Sequence, residues 1–164
     1  MSLEKNDLLI RHVTKNDFEL LWSWVNDPIV RKNSFNSEPI PFSTHIEWCK
    51  RKIKDPLCTM YLFYTLDNIP ISHVRFEQDR KNSAIISITV SPSQRGRGFG
   101  TKSIRQACER FLKVTSVNDI NAYIKADNKA SIRAFKKAGF SFIEEIIYKT
   151  HPTILMTYRR NEHG

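Results

Sequence analysis

Three glycines alternate with other residues in Val90-Ser-Pro-Ser-Gln-Arg-Gly-Arg-Gly-Phe-Gly-Thr101, where an apolar strand pattern ends, a tight turn follows and an amphipathic helix pattern begins. No other stretch limits the fold as much. Gly96, Gly98 and Gly100 lack a Cβ and tolerate positive φ, so consecutive backbone N–H groups can converge in one concavity at the positive end of the following helix. Charge-assisted hydrogen bonds contribute roughly 1.5–3 kcal/mol each, so a few converging amides outweigh the backbone entropy that glycine loses. The stretch reads as a pyrophosphate cradle in a strand–loop–helix unit.

The spacing sets it apart from two other phosphate loops. A P-loop needs Gly-Lys-Ser or Gly-Lys-Thr after a four-residue spacer, and the chain has no such run. A dinucleotide fold needs Gly-x-Gly-x-x-Gly near its start and an acidic ribose ligand further on; here the glycines alternate and lie past the middle. A turn that merely reverses the chain rarely uses three glycines flanked by two arginines.

With 164 residues, 40% of them hydrophobic and 11% aromatic, the chain can bury a core without staples, and one domain over residues 1–164 is expected, its core from about 8 to 160. No apolar run is long enough to cross a bilayer and residues 1–7 carry no signal-peptide core, so a cytoplasmic protein without membrane contact is expected. The three cysteines (Cys49, Cys58, Cys108) form no Cys-x-x-Cys pair, and the five histidines lie singly. Neither a disulfide framework nor a metal site is indicated. The net charge of +9 suits an anionic ligand. Charge alone does not choose between cofactor, small substrate, ribosome and nucleic acid.

Residues 8–13 read as a first strand, followed by a helix capped by Thr14, Asn16 or Asp17 and carrying Phe18, Leu21, Trp22 and Val25. Asp27-Pro28 closes or bends it. Residues 31–41 are polar and proline-marked, a long loop, and Ser43 caps a second helix through Ile46, Cys49 and Ile53. Residues 60–65 and 69–76 read as a hairpin and 84–90 as the strand that feeds the glycine loop. Beyond the loop come a helix presenting Ile104, Ala107, Cys108 and Phe111, a strand at 120–125, a helix opened by Asp127-Asn128 and ended by Gly139, and two closing strands. The C-terminal tail through His163 is expected to fray. The order implies a mixed sheet with helices on its faces.

Two motifs carry a family resemblance: Arg95-Gly96-Arg97-Gly98-Phe99-Gly100 matches the acetyl-CoA pattern Gln/Arg-x-x-Gly-x-Gly/Ala, and Asn128-Lys-Ala-Ser131 followed by Ala134-Phe-Lys-Lys-Ala-Gly-Phe140 lies at the expected distance. On these the chain resembles the GCN5-related N-acetyltransferases. The resemblance implies a mixed α/β (α+β) fold, a mostly antiparallel twisted sheet splayed between its fourth and fifth strands with helices on both faces. It implies acetyl-CoA as co-substrate, without a metal. The amides of Arg95, Gly96, Arg97, Gly98, Phe99, Gly100 and Thr101 would hold the pyrophosphate, the strand edge at Ile88, Thr89 and Val90 would pair with the pantetheine arm, and Asn128 and Ser131 would bond it from the far side of the splay.

The N-terminal third, with Trp24-Val-Asn-Asp-Pro-Ile-Val-Arg-Lys-Asn-Ser-Phe-Asn36, Pro39-Ile40, His45 and Trp48, is similar to nucleotide-aminosugar N-acetyltransferases of pseudaminic-acid-type pathways, and Val74-Arg-Phe76 after a Pro-Ile strand adds to the likeness. This implies a small amine acceptor, a nucleotide-linked amino sugar, met by Arg31, Asn33, Ser34, His45, Trp48 and Arg75, with a homodimer left open. For proton transfer, Ser87 or His73 would relay the amine proton through water, and an N–H near Ile88 or Thr89 would steady the carbonyl oxygen. The final-helix tyrosine that protonates the thiolate in many relatives is replaced by Phe135, which leaves water, Tyr123 or Tyr148 for that role.

Two rival readings remain. Ribosomal-type protein N-terminal acetyltransferases also carry Asn-Asp-Pro-x-Val before a similar loop. A non-enzymatic nucleic-acid or acyl-CoA binding module would explain the charge, but the chain lacks an RNP-like strand, a zinc finger and a basic heptad region, and nucleic acid would leave the glycine loop without a purpose.

Overall fold

Runs rich in β-branched and aromatic residues form the strands in the computed structural model, which describes residues 7–160. β1 (Leu9–His12), β2 (Cys58–Tyr64), β3 (Pro70–Gln78), β4 (Ser83–Val90), β5 (Asp119–Lys125), β6 (Ser141–Tyr148) and β7 (His151–Arg159) form one seven-stranded sheet in the order β1-β2-β3-β4-β5-β7-β6. The helices are α1 (Phe18–Val25), α2 (Pro28–Asn33), α3 (Phe42–Lys52), α4 (Phe99–Val114) and α5 (Lys129–Lys137). The leader reading of residues 1–6 and the tail with His163 lie outside the described residues.

All neighbouring strands run antiparallel except β4 and β5. That parallel pair is short, because Ser83, Ala84 and Ile85 register with Asp119, Ile120 and Asn121 and pairing stops there. Residues 86–90 of β4 and 122–125 of β5 face each other without a ladder, so the sheet opens as a V toward the C-terminal ends of both strands. The splay lies where the resemblance implied it.

Parity sorts the two faces. Val74, Phe76, Ala84, Ile86, Ile120, Ala122 and Ile124 turn to the side where α4 contributes Ile104, Ala107, Cys108 and Phe111 and α5 contributes Phe135. Phe76 and Phe111 stack there with ring centroids 4.1 Å apart. On the other face Met60 and Leu62 meet Phe18, Leu21 and Trp24 of α1 and Cys49 of α3 in a second, smaller core. Each fully buried side chain of this size contributes roughly 1.5–3 kcal/mol. Two faces are therefore fixed against slippage.

Two local expectations are corrected. Asp27-Pro28 starts a helix of its own: the Asp27 carboxylate accepts the N–H groups of Ile29 (3.1 Å) and Val30 (3.3 Å), and Pro28 occupies the first turn, where its missing N–H costs nothing. The expected long loop shrinks to residues 34–41. α3 begins at Phe42 behind Pro41, so Ser43 lies inside the first turn and does not cap it. The remaining loop is fastened at Ile40, whose carbonyl accepts Trp22 Nε1 (2.8 Å) and Asn26 Nδ2 (3.1 Å) and whose N–H donates to Asn26 Oδ1 (2.8 Å).

Candidate functional site

Beyond β4 the chain makes a 3-10 turn at Pro92–Gln94 and enters the glycine loop. Gly96 (φ 74°) and Gly98 (φ 79°) adopt the left-handed conformation, and a Cβ added to either would meet nothing within 4 Å, so the space beside both is open. Gly100 is helical, and its added Cβ would lie 3.6 Å from a Val90 methyl, an ordinary contact. Phe99, 3% exposed, anchors the start of α4 in the core. The N–H groups of the first turn, from Phe99 to Thr101, have no carbonyl partner within the helix and point outward at its positive end.

The arginine side chains of the loop are turned to the protein. Arg95 Nη2 pairs with Asp27 Oδ2, and Arg97 donates to Gln94 Oε1 (2.7 Å) while lying over the Phe99 ring. What the loop offers a ligand is backbone N–H. The edge of β4 at Ile88, Thr89 and Val90 borders the unpaired gap. Across it, Asn128 caps α5 by accepting the Ser131 N–H (3.3 Å), which places both residues at the C-terminal end of β5.

On the sheet face opposite α4, β3 and β4 align His73 with Thr89 and Arg75 with Ser87. Arg75 Nη2 donates to Ser87 Oγ (3.3 Å), its Nε lies 3.6 Å from Glu77 Oε2, and its guanidinium covers the Trp48 ring of α3. Glu77 is also bridged by Lys52. His45 stacks on Trp48 at 5.5 Å and approaches Cys49 Sγ at 3.5 Å. Burial, and then the positive charges of Arg75 and Arg31, hold the His45 pKa below its ordinary value. Burial pushes His73 down to about 3, and its Nε2 has no hydrogen-bond partner. Five of the residues singled out from the sequence, His45, Trp48, His73, Arg75 and Ser87, therefore share one cluster.

Arg31 and Ser34 are occupied differently from the sequence expectation. Arg31 Nε donates to the Val25 carbonyl (2.6 Å), Nη1 to the carbonyls of Asn36 (2.9 Å) and Glu38 (3.2 Å), and Nη2 to Ser34 Oγ (3.1 Å). Ser34 Oγ donates in turn to the Val30 carbonyl. The guanidinium is thus a clamp on the chain around α2, and Asn33 is the last residue of that helix. Phe135 packs in the core edge-on to Phe140 at 5.0 Å. Tyr123 alternates with buried Ala122 and Ile124, so it lies on the sheet face opposite α4, where it stacks on Tyr148 of β6 at 4.5 Å.

Asp27 and Lys125 received no role from the sequence. The Asp-Pro pair was a readable helix-start signal for the first. Nothing local announces that Lys125 Nζ donates to the Lys32 carbonyl (2.9 Å) across the gap. Among the described residues no His, Cys, Asp and Glu side chains are grouped to hold a metal ion, and no helix is long and apolar enough to cross a membrane.

Residues 7–141 match the model of the acetyltransferase (GNAT) domain. An uncharacterized protein of Methanocaldococcus jannaschii is 25% identical over 140 residues, covering 84% of this chain; the chain spans only 28% of that relative's length. Among solved structures, the aminoglycoside acetyltransferase AAC(6')-Ib in complex with ribostamycin and coenzyme A superposes with a TM-score of 0.83 at 20% identity, over 95% of both chains. Spermidine N-acetyltransferase from Vibrio cholerae in complex with CoA and spermine gives a TM-score of 0.85 at 16% identity, covering 94% of this chain and 96% of the other. At these identities the likeness is one of fold.

Proposed function

The chain belongs to the acetyltransferase (GNAT) domain family, and from that premise we propose that it moves the acetyl group of acetyl-CoA to the amine of an anion-bearing acceptor, a nucleotide-linked amino sugar. The open space beside Gly96 and Gly98 and the unpaired β4 edge fit a pyrophosphate joined to an extended amide chain. The amides of residues 95–101 hold the pyrophosphate, the edge at Ile88, Thr89 and Val90 pairs with the pantetheine arm, and Asn128 with Ser131 closes the other side. Acetyl-CoA supplies the activated thioester.

The acceptor class rests on one observation, the charge balance of the face that α1, α2 and α3 cover. Arg11, Arg31, Lys52, Arg75, Arg95 and Lys125 stand there against Asp17, Asp27 and Glu77, each of which is already bridged by a cation, while Glu47 pairs with Lys50 and Glu19 and Glu38 are exposed on the covering segments. Ribostamycin and spermine, held by the structural neighbours, are polycations. Juxtaposing like charges costs several kcal/mol, so this face disfavours them and favours a phosphate-bearing partner. Arg75 over Trp48, with His45 beside it, forms the cationic and aromatic wall for such a group, with Asn33 at the end of α2 nearby in sequence, and Arg31 shapes it by holding Ser34 and the carbonyls of Asn36 and Glu38 in place.

Proton movement follows from the same cluster. His73 stays neutral because of its burial, so it relays a proton and does not store one. Ser87 Oγ accepts from Arg75, which orients the hydroxyl for a water-mediated relay from the amine. A β4 backbone N–H near Ile88 or Thr89 steadies the carbonyl oxygen, an arrangement worth ~10²–10³ in rate. Continuing the β4–β5 register by two residues sets Tyr123 across the gap from Ser87, and Tyr123 is the proton donor for the departing thiolate in this reading.

The test is thiol release from acetyl-CoA with UDP-linked 4-amino sugars, ribosomal-protein N-terminal peptides, spermine and kanamycin as acceptors. Turnover on a sugar alone is expected. Turnover on peptides alone would turn the loop around Arg31 over to peptide recognition, and preference for spermine or kanamycin would overturn the charge argument.

A further inference from the structure

α2 crosses the open end of the V, and it does so without a core of its own. It has six residues, none of them buried, and a helix this short is not stable by itself. Its place is set by ties at its two ends. At the start, Asp27 Oδ2 accepts the Ile29 and Val30 N–H groups and also pairs with Arg95 of the glycine loop, 68 residues away. At the finish, the Lys32 carbonyl accepts from Lys125 at the end of β5. Just beyond, the Phe35 carbonyl lies 3.2 Å from His151 Nε2, and the Phe35 ring meets Tyr148 edge-on at 5.0 Å. From inside this bridge Arg31 reaches the Asn36 and Glu38 carbonyls.

We infer that Asp27 is a positioning residue: through Arg95 it fixes α2 and the acceptor-side loop to the cofactor loop, so that ordering of residues 95–101 by acetyl-CoA is transmitted to residues 28–40. The inference rests on the acetyl-CoA reading above and adds to it a path between the two substrates. The path is physical because α2 has no buried residue and is held mainly by polar ties, which a bound ligand at one end can strengthen or weaken, with the Phe35 ring packed just beyond it. Since the Arg95 side chain is taken up by Asp27 and the cofactor reading uses only the loop's amides, the pair can change without removing a contact assigned to the cofactor.

Asp27→Asn separates the two duties of the side chain, because asparagine caps a helix as well as aspartate does but brings no charge to Arg95. Asp27→Ser is a second variant that keeps the cap. Amide hydrogen exchange over residues 28–40 is measured with and without acetyl-CoA, beside calorimetric acetyl-CoA affinity and the steady-state constants for the acceptor. In the unaltered protein acetyl-CoA should slow exchange in this segment about tenfold. Both variants should bind acetyl-CoA within about threefold of the unaltered protein, lose that protection, and raise the acceptor KM about tenfold with kcat little changed, while Asp27→Glu recovers part of it. Protection that persists in both variants, or that never appears in the unaltered protein although calorimetry shows binding, would overturn the inference alone. Acetyl-CoA affinity falling in step with protection would make Asp27 part of the cofactor site and overturn it too. No calorimetric binding at all would overturn the cofactor reading together with it.

Discussion

The guanidinium carbon of Arg75 lies 4.8 Å from the centre of the Trp48 ring, while the same side chain donates to Ser87 and faces Glu77. One cation thus joins β3, β4 and α3 and sets the local field. Burial is the main reason His45 resists protonation, and Arg75 is the next. Replacing Arg75 with Gln should let the His45 pKa climb part of the way back toward its ordinary value, read by NMR titration of the histidine ring. The acceptor KM should rise about tenfold or more, since a charge-assisted contact is lost, with acetyl-CoA affinity unchanged. A His45 titration that does not move would remove Arg75 as the source of the field.

The glycine loop makes a graded prediction. At Gly98 the obstacle to a side chain is φ and not space, because a Cβ there meets nothing within 4 Å. The left-handed region costs an L-residue roughly 1–2 kcal/mol, more with β-branching. Gly98→Val should therefore abolish acetyl-CoA binding with the fold intact, Gly98→Ala should weaken it about tenfold, and Gly100→Ala, at a helical position, should bind nearly as tightly as the parent. Calorimetry ranks the three. Retention of tight binding by Gly98→Val would refute the cradle.

What the sequence made legible was local. The strand-to-glycine junction, the Asn128 cap, the Gly139 stop, the β2–β3 hairpin and the two closing strands each rest on signals within a few residues, and the structure has them all. The clustering of His45, Trp48 and Arg75 came from likeness to a family and not from spacing. α2 was not legible by periodicity, since a helix with no buried residue has no apolar stripe to read. Nor was the fate of Arg31: its partners are backbone carbonyls in a loop whose path depends on Trp22 and Asn26 holding Ile40. Charge on a polar loop suggested a ligand where the folded chain supplies its own acceptors.

Arg31 therefore bears on stability. Its guanidinium satisfies three carbonyls and a hydroxyl at once, a fork that an ammonium cannot reproduce. Arg31→Ala should lower stability by roughly 2 kcal/mol and Tm by about 4–8 °C, and Arg31→Lys should recover little of either. Calorimetric melting decides the point. An unchanged Tm would show that the loop holds without the clamp.

His73 gives the molecule an acid-sensitive term whose sign can be worked out. Its folded pKa is about 3 against an ordinary 6.5, with burial the first cause and the charges of Arg75 and His45 adding to it, while Asp17 pulls the other way. Between these two pH values the unfolded chain binds a proton at this site that the folded chain refuses, so stability rises with pH across the window. The contribution is fully present above about pH 6.5 and is lost as pH falls toward 3, at up to roughly 1.4 kcal/mol per unit. His73→Gln cannot titrate, so its stability should fall less steeply over that range by close to one proton's worth, measured as urea unfolding free energy against pH. Parallel curves for the variant and the parent would mean that the imidazole is protonated in the folded protein, and would remove His73 from the neutral relay assigned to it.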